Sequence, residues 1–563
     1  MATPSSLRHR FLSYLRGFHP AGLAVALVFY SWSLTPSLLP RVWYMQAMAT
    51  GISLAIGYGV GVAGAKILRW AGVNWEPSAR LRRLGWWLLA AAAVVVVPLF
   101  AVLGAHWQSV SRDLIGVDKD SRVLYSLVLL VALIVALLLI QAGRGIAAVS
   151  NRLTRAGRRY VPRPVARLGG LLLVVVVGWL LIDGVGIRTM IAVAERASYA
   201  QDQQTRQGVV QPTDPLRSGS PASGEDWNTL GRDGRTFVAS GPGPEQITGV
   251  TGRPAIEPIR VYAGVASAET LPEVADRVVA ELQRTGAFER RALAVVTTTG
   301  RGWVNSAAAD SFEYINAGDS AIAAMQYSHL QSPFAFIADR RTPLEAGTVL
   351  LEKVYAVWSE LPEDQRPQLV VMGESLGSYG AQGATASEQD MISRLDGALL
   401  IGTPEFSQPW KRITRDRDPG SLQRLPVVDG GRHTRFAAEA EDLQLPGEWE
   451  HPRIVFWQHG SDPITWWSFD LLLREPDWMK EPLGEDINPA MRWLPFVTFW
   501  QVTGDMALSA GVPAGHGHAF GPEAVGMWVG ILEPADWDEE STARVQAVLR
   551  DPDTTLEPLP EYH

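Results

Sequence analysis

The run Gly373-Glu374-Ser375-Leu376-Gly377 is the part of this sequence best suited to do chemistry. It is a G-x-S-x-G pattern that follows QLVVMG (368–373), whose apolar and β-branched residues predict a buried strand. The Gly-, Ser- and Ala-rich SYGAQGATAS that continues it predicts a closely packed helix. A strand turning sharply into a helix lifts the residue at the turn above the sheet, and small neighbours permit the strained backbone. A serine hydroxyl held there becomes a nucleophile once an imidazole takes its proton and a carboxylate orients that imidazole.

In this context the chain order is serine, acid, histidine. Asp462 fits the acid: it lies in HGSDP (459–463), at the end of the predicted strand RIVFWQHG (453–460). Asp396, which opens a strand, and Asp505, in an apolar segment, fit less well. The base is expected in Gly515-His516-Gly517-His518, before the helical GPEAVGMWVGIL; spacing alone leaves both His518 and His516 open. A metal pair would need further ligands, and the sequence offers no Cys and no H-E-x-x-H, so neither metal nor cofactor is expected. Acyl chemistry also needs amide donors for the oxyanion, each worth about 3 kcal/mol. The amide of Leu376 is the first candidate, and the loop Gly300-Arg301-Gly302 after an early strand is the second.

These residues need a sheet to hold them. From about residue 257 short β-branched runs alternate with amphipathic stretches: 258–265, 291–299, 321–328, 368–373, 396–402 and 453–460 read as strands, 272–287 and 342–361 as helices. That alternation predicts a mostly parallel sheet with helices on both faces, its site at the carboxyl ends of the strands. Residues 405–450 look like an insertion of mixed charge, either a solvated loop or a lid facing anionic headgroups. Residues 492–511 are apolar but interrupted by Pro495, Gln501 and Asp505, and read as core, acyl-pocket lining or a surface on a bilayer. Residues 198–255, polar and rich in Gly, Pro and Ser, read as a loose tether.

The N-terminal part is of another kind. Five apolar stretches, roughly 21–39, 43–65, 84–105, 123–141 and 168–187, each approach the ~20 residues that cross a bilayer as helix. Residues 1–196 carry 21 Lys and Arg against 6 Asp and Glu, whereas the remainder carries 29 against 52. Such a division points to two environments and not to a nucleic-acid surface. Fifteen basic residues lie in the tail and in the second and fourth loops, among them Arg8, Arg10, Arg16, Arg163 and Arg167. Only Arg41, Arg112, Lys119 and Arg122 lie in the first and third loops. The positive-inside rule then gives a cytoplasmic N-terminus and an extracytoplasmic C-terminal region. Gly57 and Gly61 form a G-x-x-x-G that suits local helix packing or dimerisation, and Asp183 lies near the end of the fifth run. With 47% hydrophobic residues the chain is no disordered protein, and without cysteine it has neither disulfides nor thiolate zinc sites.

The segments WNTLGRDGRTF, EPIRVYAG, TTTGRGWV, MQYSHLQS, GESLGSYG, DGALLIGTPEF, HGSDPITWWSFDLL, RWLPFVTFWQ and GHGHAF cover most of residues 227–521. Together with the five runs they resemble the membrane-anchored α/β-hydrolases of actinobacteria that have an N-terminal multi-span domain. Departures are the single proline of Gly402-Thr403-Pro404 and Phe520 where Tyr is usual. The resemblance implies an all-α transmembrane bundle (1–197), a lead-in (198–255) and an α/β-hydrolase fold (256–563), with a nucleophile at Ser375. The expected function is a membrane-bound serine esterase or lipase acting on acyl esters of envelope lipids. The alternatives are an acyltransferase using the same residues and a non-enzymatic membrane scaffold or transport component. The expected partners are the bilayer and an acyl-ester lipid, with no nucleic acid; the oligomeric state is left open.

Overall fold

The computed structural model describes residues 17–73, 77–118, 126–385 and 387–551. Arg8, Arg10, Arg16, Lys119 and Arg122, and the side chains of Arg163, Arg167 and Asp183, lie outside the described residues. The chain divides into two compact units: Met1–Val185 with Ser468–Leu508, and Gly186–Trp467 with Ser509–His563.

In the first unit the apolar runs form the helices Pro20–Ser33, Trp43–Trp70, Ala79–Leu114, Val128–Gly157 and Arg163–Leu181. The three from Trp43 to Gly157 are long and apolar enough to cross a membrane; Pro20–Ser33 and the stretch Leu168–Leu180 are shorter. Their outward side chains are apolar, with Leu88, Val94, Val102, Leu130 and Leu138 all exposed. A surface of this kind suits hydrocarbon and not water. The G-x-x-x-G serves packing inside the unit. A methyl group on Gly61 would fall 2.3 Å from the Ala21 carbonyl, and one on Gly57 would fall 2.7 Å from Phe29. Both glycines thus let Trp43–Trp70 close on Pro20–Ser33.

The apolar segment near residue 500 also belongs to this unit. Its helix Val497–Met506 buries Asp505, whose carboxylate accepts from the Ser37 hydroxyl at 3.0 Å and the Leu38 amide at 3.1 Å. Gln501 donates to the Thr35 carbonyl at 3.0 Å, and Asn488 to the Trp107 carbonyl at 3.1 Å. The polar residues that interrupt the segment are therefore its attachment points. Of the three readings open for the segment, its helix is core, and core of the helical unit.

The second unit is built on seven strands: β1 Ile259–Ala263, β2 Ala292–Thr297, β3 Ser320–Met325, β4 Gln368–Glu374, β5 Gly397–Ile401, β6 Thr434–Ala437 and β7 Arg453–Trp457. They pair in parallel in the order β1-β3-β2-β4-β5-β7-β6. The strands are buried almost throughout, which is why they read as continuous apolar runs. Alternate residues such as Ala294, Val296, Val370, Met372, Leu399 and Ile401 share one core with Phe312 and Trp528 from the helices Ser306–Ile315 and Ala524–Leu532. The helices Leu271–Thr285 and Thr342–Glu360 contact each other and, respectively, β1 with β3 and β2.

Two expectations are corrected here. The insertion 405–450 contributes the edge strand β6, with register Thr434 opposite Ile454, and much of its charge is paired locally, as in Lys411–Glu405 and Arg432–Glu450. The supposed tether 198–255 is ordered against the sheet unit. Arg217 pairs with Glu257 at 2.9 Å, and Ser218, Ser223 and the Gly224 amide all donate to Glu281. Polar composition does not make a segment loose when its polar groups find buried partners.

Candidate active site

β4 runs into the helix Leu376–Ala381 through Ser375, whose φ of 55° and ψ of −119° are unusual for a residue with a side chain. Close packing imposes this path. A methyl on Gly373 would lie 2.4 Å from the Gly377 carbonyl carbon, and one on Gly377 would lie 2.3 Å from the Thr297 carbonyl oxygen. The Ser375 amide donates to the Ile401 carbonyl at 2.9 Å, which ties the turn to the end of β5. Gly373, Glu374 and Gly377 thus flank a sharp strand-to-helix turn.

The next residue of β5's exit, Gly402, lies under the His518 ring: a methyl there would meet Cε1 at 2.5 Å. His518 is buried, and its Nδ1 lies 2.7 Å from Oδ2 of Asp462. Asp462 follows β7, is fully buried, and caps the helix Pro463–Trp466. It accepts from the Ile464 amide at 2.8 Å and the Thr465 hydroxyl at 3.0 Å, so its carboxylate is fixed in orientation. His516 is half-buried in the same loop, and Asp462 does not bond it. His518 Nε2 is buried and makes no hydrogen bond among the described residues, that to Ser375 included. In enzymes without substrate such bonds are often long and tighten on binding.

Two family models match this chain: one described as an alpha/beta-hydrolase family covers residues 259–545, and one described as the N-terminus of an alpha/beta-hydrolase family covers residues 34–242. The chain belongs to the alpha/beta-hydrolase family. No curated protein matches it, and no solved structure does.

The loop after β2, expected to offer the second oxyanion donor, has partners of its own for two of its amides. The Gly302 amide donates to the Thr299 carbonyl at 2.7 Å, and the Gly300 amide to the Ser332 hydroxyl at 3.3 Å. Arg301 turns its guanidinium to Asp233. The glycines have a packing reason: a methyl on Gly300 would lie 2.6 Å from the Leu330 carbonyl, and Gly302, at φ +92°, lies against the Tyr262 hydroxyl. The amides of Gly300 and Gly302 are therefore occupied as this loop stands. The Leu376 amide sits at the first turn of its helix, where no intrahelical acceptor exists for it.

Three residues that sequence reasoning passed over hold the site together. His459 Nδ1 pairs with the Gly517 carbonyl at 3.0 Å, and the Ser461 hydroxyl accepts from the Gly517 amide at 2.8 Å. The HGSDP and GHGH loops thus interlock through both backbone groups of Gly517, the residue before His518. Asn305 caps the helix Ser306–Ile315 while donating to Glu374 at 2.6 Å and to the Phe520 carbonyl at 3.1 Å. It joins the elbow to the histidine loop. The signal for these residues was their adjacency to motif positions.

An apolar wall flanks the elbow. Leu376 shares a cluster with Leu330 and Ala335, against which pack Phe334, Phe336, Tyr379 and Phe406, with Ile191 and Ala194 of the helix Arg188–Asp202. The rings of Phe336 and Phe406 stack at 4.2 Å.

Proposed function

We propose that this alpha/beta-hydrolase is a membrane-bound serine esterase that cleaves acyl esters of envelope lipids. The observation that carries the reading is the buried Asp462–His518 bond beside the strained turn at Ser375. In this reading Ser375 Oγ attacks the ester carbonyl and its proton passes to His518 Nε2. The alcohol leaves with that proton, and water then gives up a proton to the same nitrogen as it releases the acid. Asp462 holds the Nδ1 proton and offsets the imidazolium charge. The Leu376 amide faces the oxyanion, and the apolar wall around Leu376 receives the acyl chain.

The test is turnover of a panel of acyl esters by the purified full chain, with and without an alcohol acceptor. Release of free acid supports the hydrolase. Acyl transfer exceeding hydrolysis would replace it with an acyltransferase, and no turnover with no labelling by a fluorophosphonate would leave a scaffold.

The pH profile follows from the surroundings of His518. Burial pulls its pKa down, but the charge and hydrogen bond of Asp462, with the charge of Glu374, outweigh that and raise it above the ordinary 6.5. The neutral ring is the base, so kcat/KM is expected to climb with pH through a midpoint above 6.5. Glu374→Gln is expected to lower that midpoint. A midpoint that does not respond to Glu374→Gln would assign the titration elsewhere.

The charge distribution supports an extracytoplasmic hydrolase unit anchored by several spans. Because the chain has no cysteine, a single Glu540→Cys variant reports on sidedness; that side chain is 77% exposed. Labelling by a membrane-impermeant maleimide in intact cells is expected. Labelling only after lysis would reverse the orientation.

A further inference from the structure

Beside the elbow, at the carboxyl ends of β2 and β3, lies a group of charges that the acyl chemistry does not use. Two buried carboxylates organise it. Asp233 pairs with Arg301 at 2.8 Å and Arg206 at 3.3 Å. Asp202 accepts from the Arg232 amide, from Gln326 and from His329 Nδ1, each at 2.8 Å. Arg235, 3% exposed, reaches the Asp202 carbonyl with its guanidinium and forms no ion pair among the described residues.

Arg232 is the anomaly. Its side chain is half-buried and its Nε is shielded from solvent, yet its guanidinium makes no hydrogen bond and no ion pair among the described residues. Burial, then the neighbouring charges of Arg206 and Arg301, hold its pKa below the ordinary arginine value. The Arg232 guanidinium thus stands near those of Arg206 and Arg301, which hold the Asp233 carboxylate, and near Asp202, which serves His329. An anion there would accept the hydrogen bonds this guanidinium does not make and offset the repulsion of its two cationic neighbours.

The cluster is connected to the reaction centre. Gln326 bonds both Asp202 and the Arg301 carbonyl, and Leu330, next to His329, belongs to the apolar cluster of Leu376. β3 lies two strands from β4, or about 10 Å. Resting on the esterase reading above, we propose that Arg232 and its neighbours Arg206 and Arg301 seat an oxyanion carried by the alcohol part of the substrate, of the phosphate or carboxylate type. The substrate is then an acidic amphiphile, its acyl chain along the wall at Leu376 and its anion at Arg232.

The test compares 1-oleoylglycerol with 1-oleoylglycerol 3-phosphate on the full-length protein in neutral detergent. The wild type is expected to favour the phosphate ester in kcat/KM, and Arg232→Gln to lower that preference about ten-fold, mainly through KM. Arg232→Lys, which keeps the charge, is expected to retain most of it. An unchanged ratio in Arg232→Gln overturns the proposal; if that variant does not fold, Arg206→Gln decides by the same ratio. Inorganic phosphate is the second arm. Should it bind wild type and not the variant while the two esters are handled alike, the site takes a free anion and the substrate assignment falls. If the wild type turns over neither ester, the esterase reading fails separately, and phosphate affinity of wild type against Arg232→Gln still judges the anion site: equal affinity overturns it.

Discussion

Ser375→Ala is expected to abolish fluorophosphonate labelling and to lower ester turnover by about six orders of magnitude, the loss seen when a hydrolase loses its nucleophile. The change removes one oxygen and keeps the Cβ, so the φ of 55° is no more strained in the variant than in the wild type. The Ser375 amide keeps its bond to Ile401, and Gly373 and Gly377 keep their contacts. Unfolding should therefore shift by less than about 1 kcal/mol, as for a substitution that leaves packing intact. Loss of activity without loss of stability is the informative combination. Substrate binding should survive, because the wall at Leu376 is untouched. Mass spectrometry of the wild-type adduct is the check: a modified peptide carrying a serine other than 375 would move the nucleophile.

Much of this arrangement was legible beforehand because it is local. The strand-to-helix turn is written in consecutive residues, and buried parallel strands betray themselves as unbroken apolar runs. The strand β6 escaped notice because TRFA is four residues long and sits among charges. The stretch 198–255 escaped for a different reason. Its partners, such as Glu281 for Ser218, lie 63 residues away, and nothing in the local sequence signals such a bond. Distance along the chain also hid the setting of Asp505, whose acceptor role is met by Ser37. The glycines of 300–302 carry two meanings that the local sequence does not separate. Glycine marks freedom or crowding alike, and here crowding by Leu330 and Tyr262 explains them.

The two histidines of GHGH, inseparable by spacing, differ sharply in what they touch, and that difference gives the second large effect. His518→Ala is expected to lower kcat by about 10⁴–10⁶, whereas His516→Ala should cost less than about ten-fold. The reason lies at Asp462. Its Oδ1 is taken by the Ile464 amide, and its Oδ2 is shared by Thr465 and His518. These three bonds hold the carboxylate toward the ring of His518, and none of them goes to His516. Asp462→Asn separates orientation from charge. The Ile464 amide can still bond the side-chain carbonyl, which leaves an NH₂ facing His518 Nδ1. Nδ1 must then accept, the proton moves to Nε2, and the base points its N–H at the serine it should deprotonate. A loss of about 10⁴ is expected from this tautomer reversal. His518→Ala and Asp462→Asn combined should cost little more than His518→Ala alone, since the acid acts only through the ring. Additive losses in that double variant, measured by initial rates on one ester, would mean that Asp462 acts independently of His518.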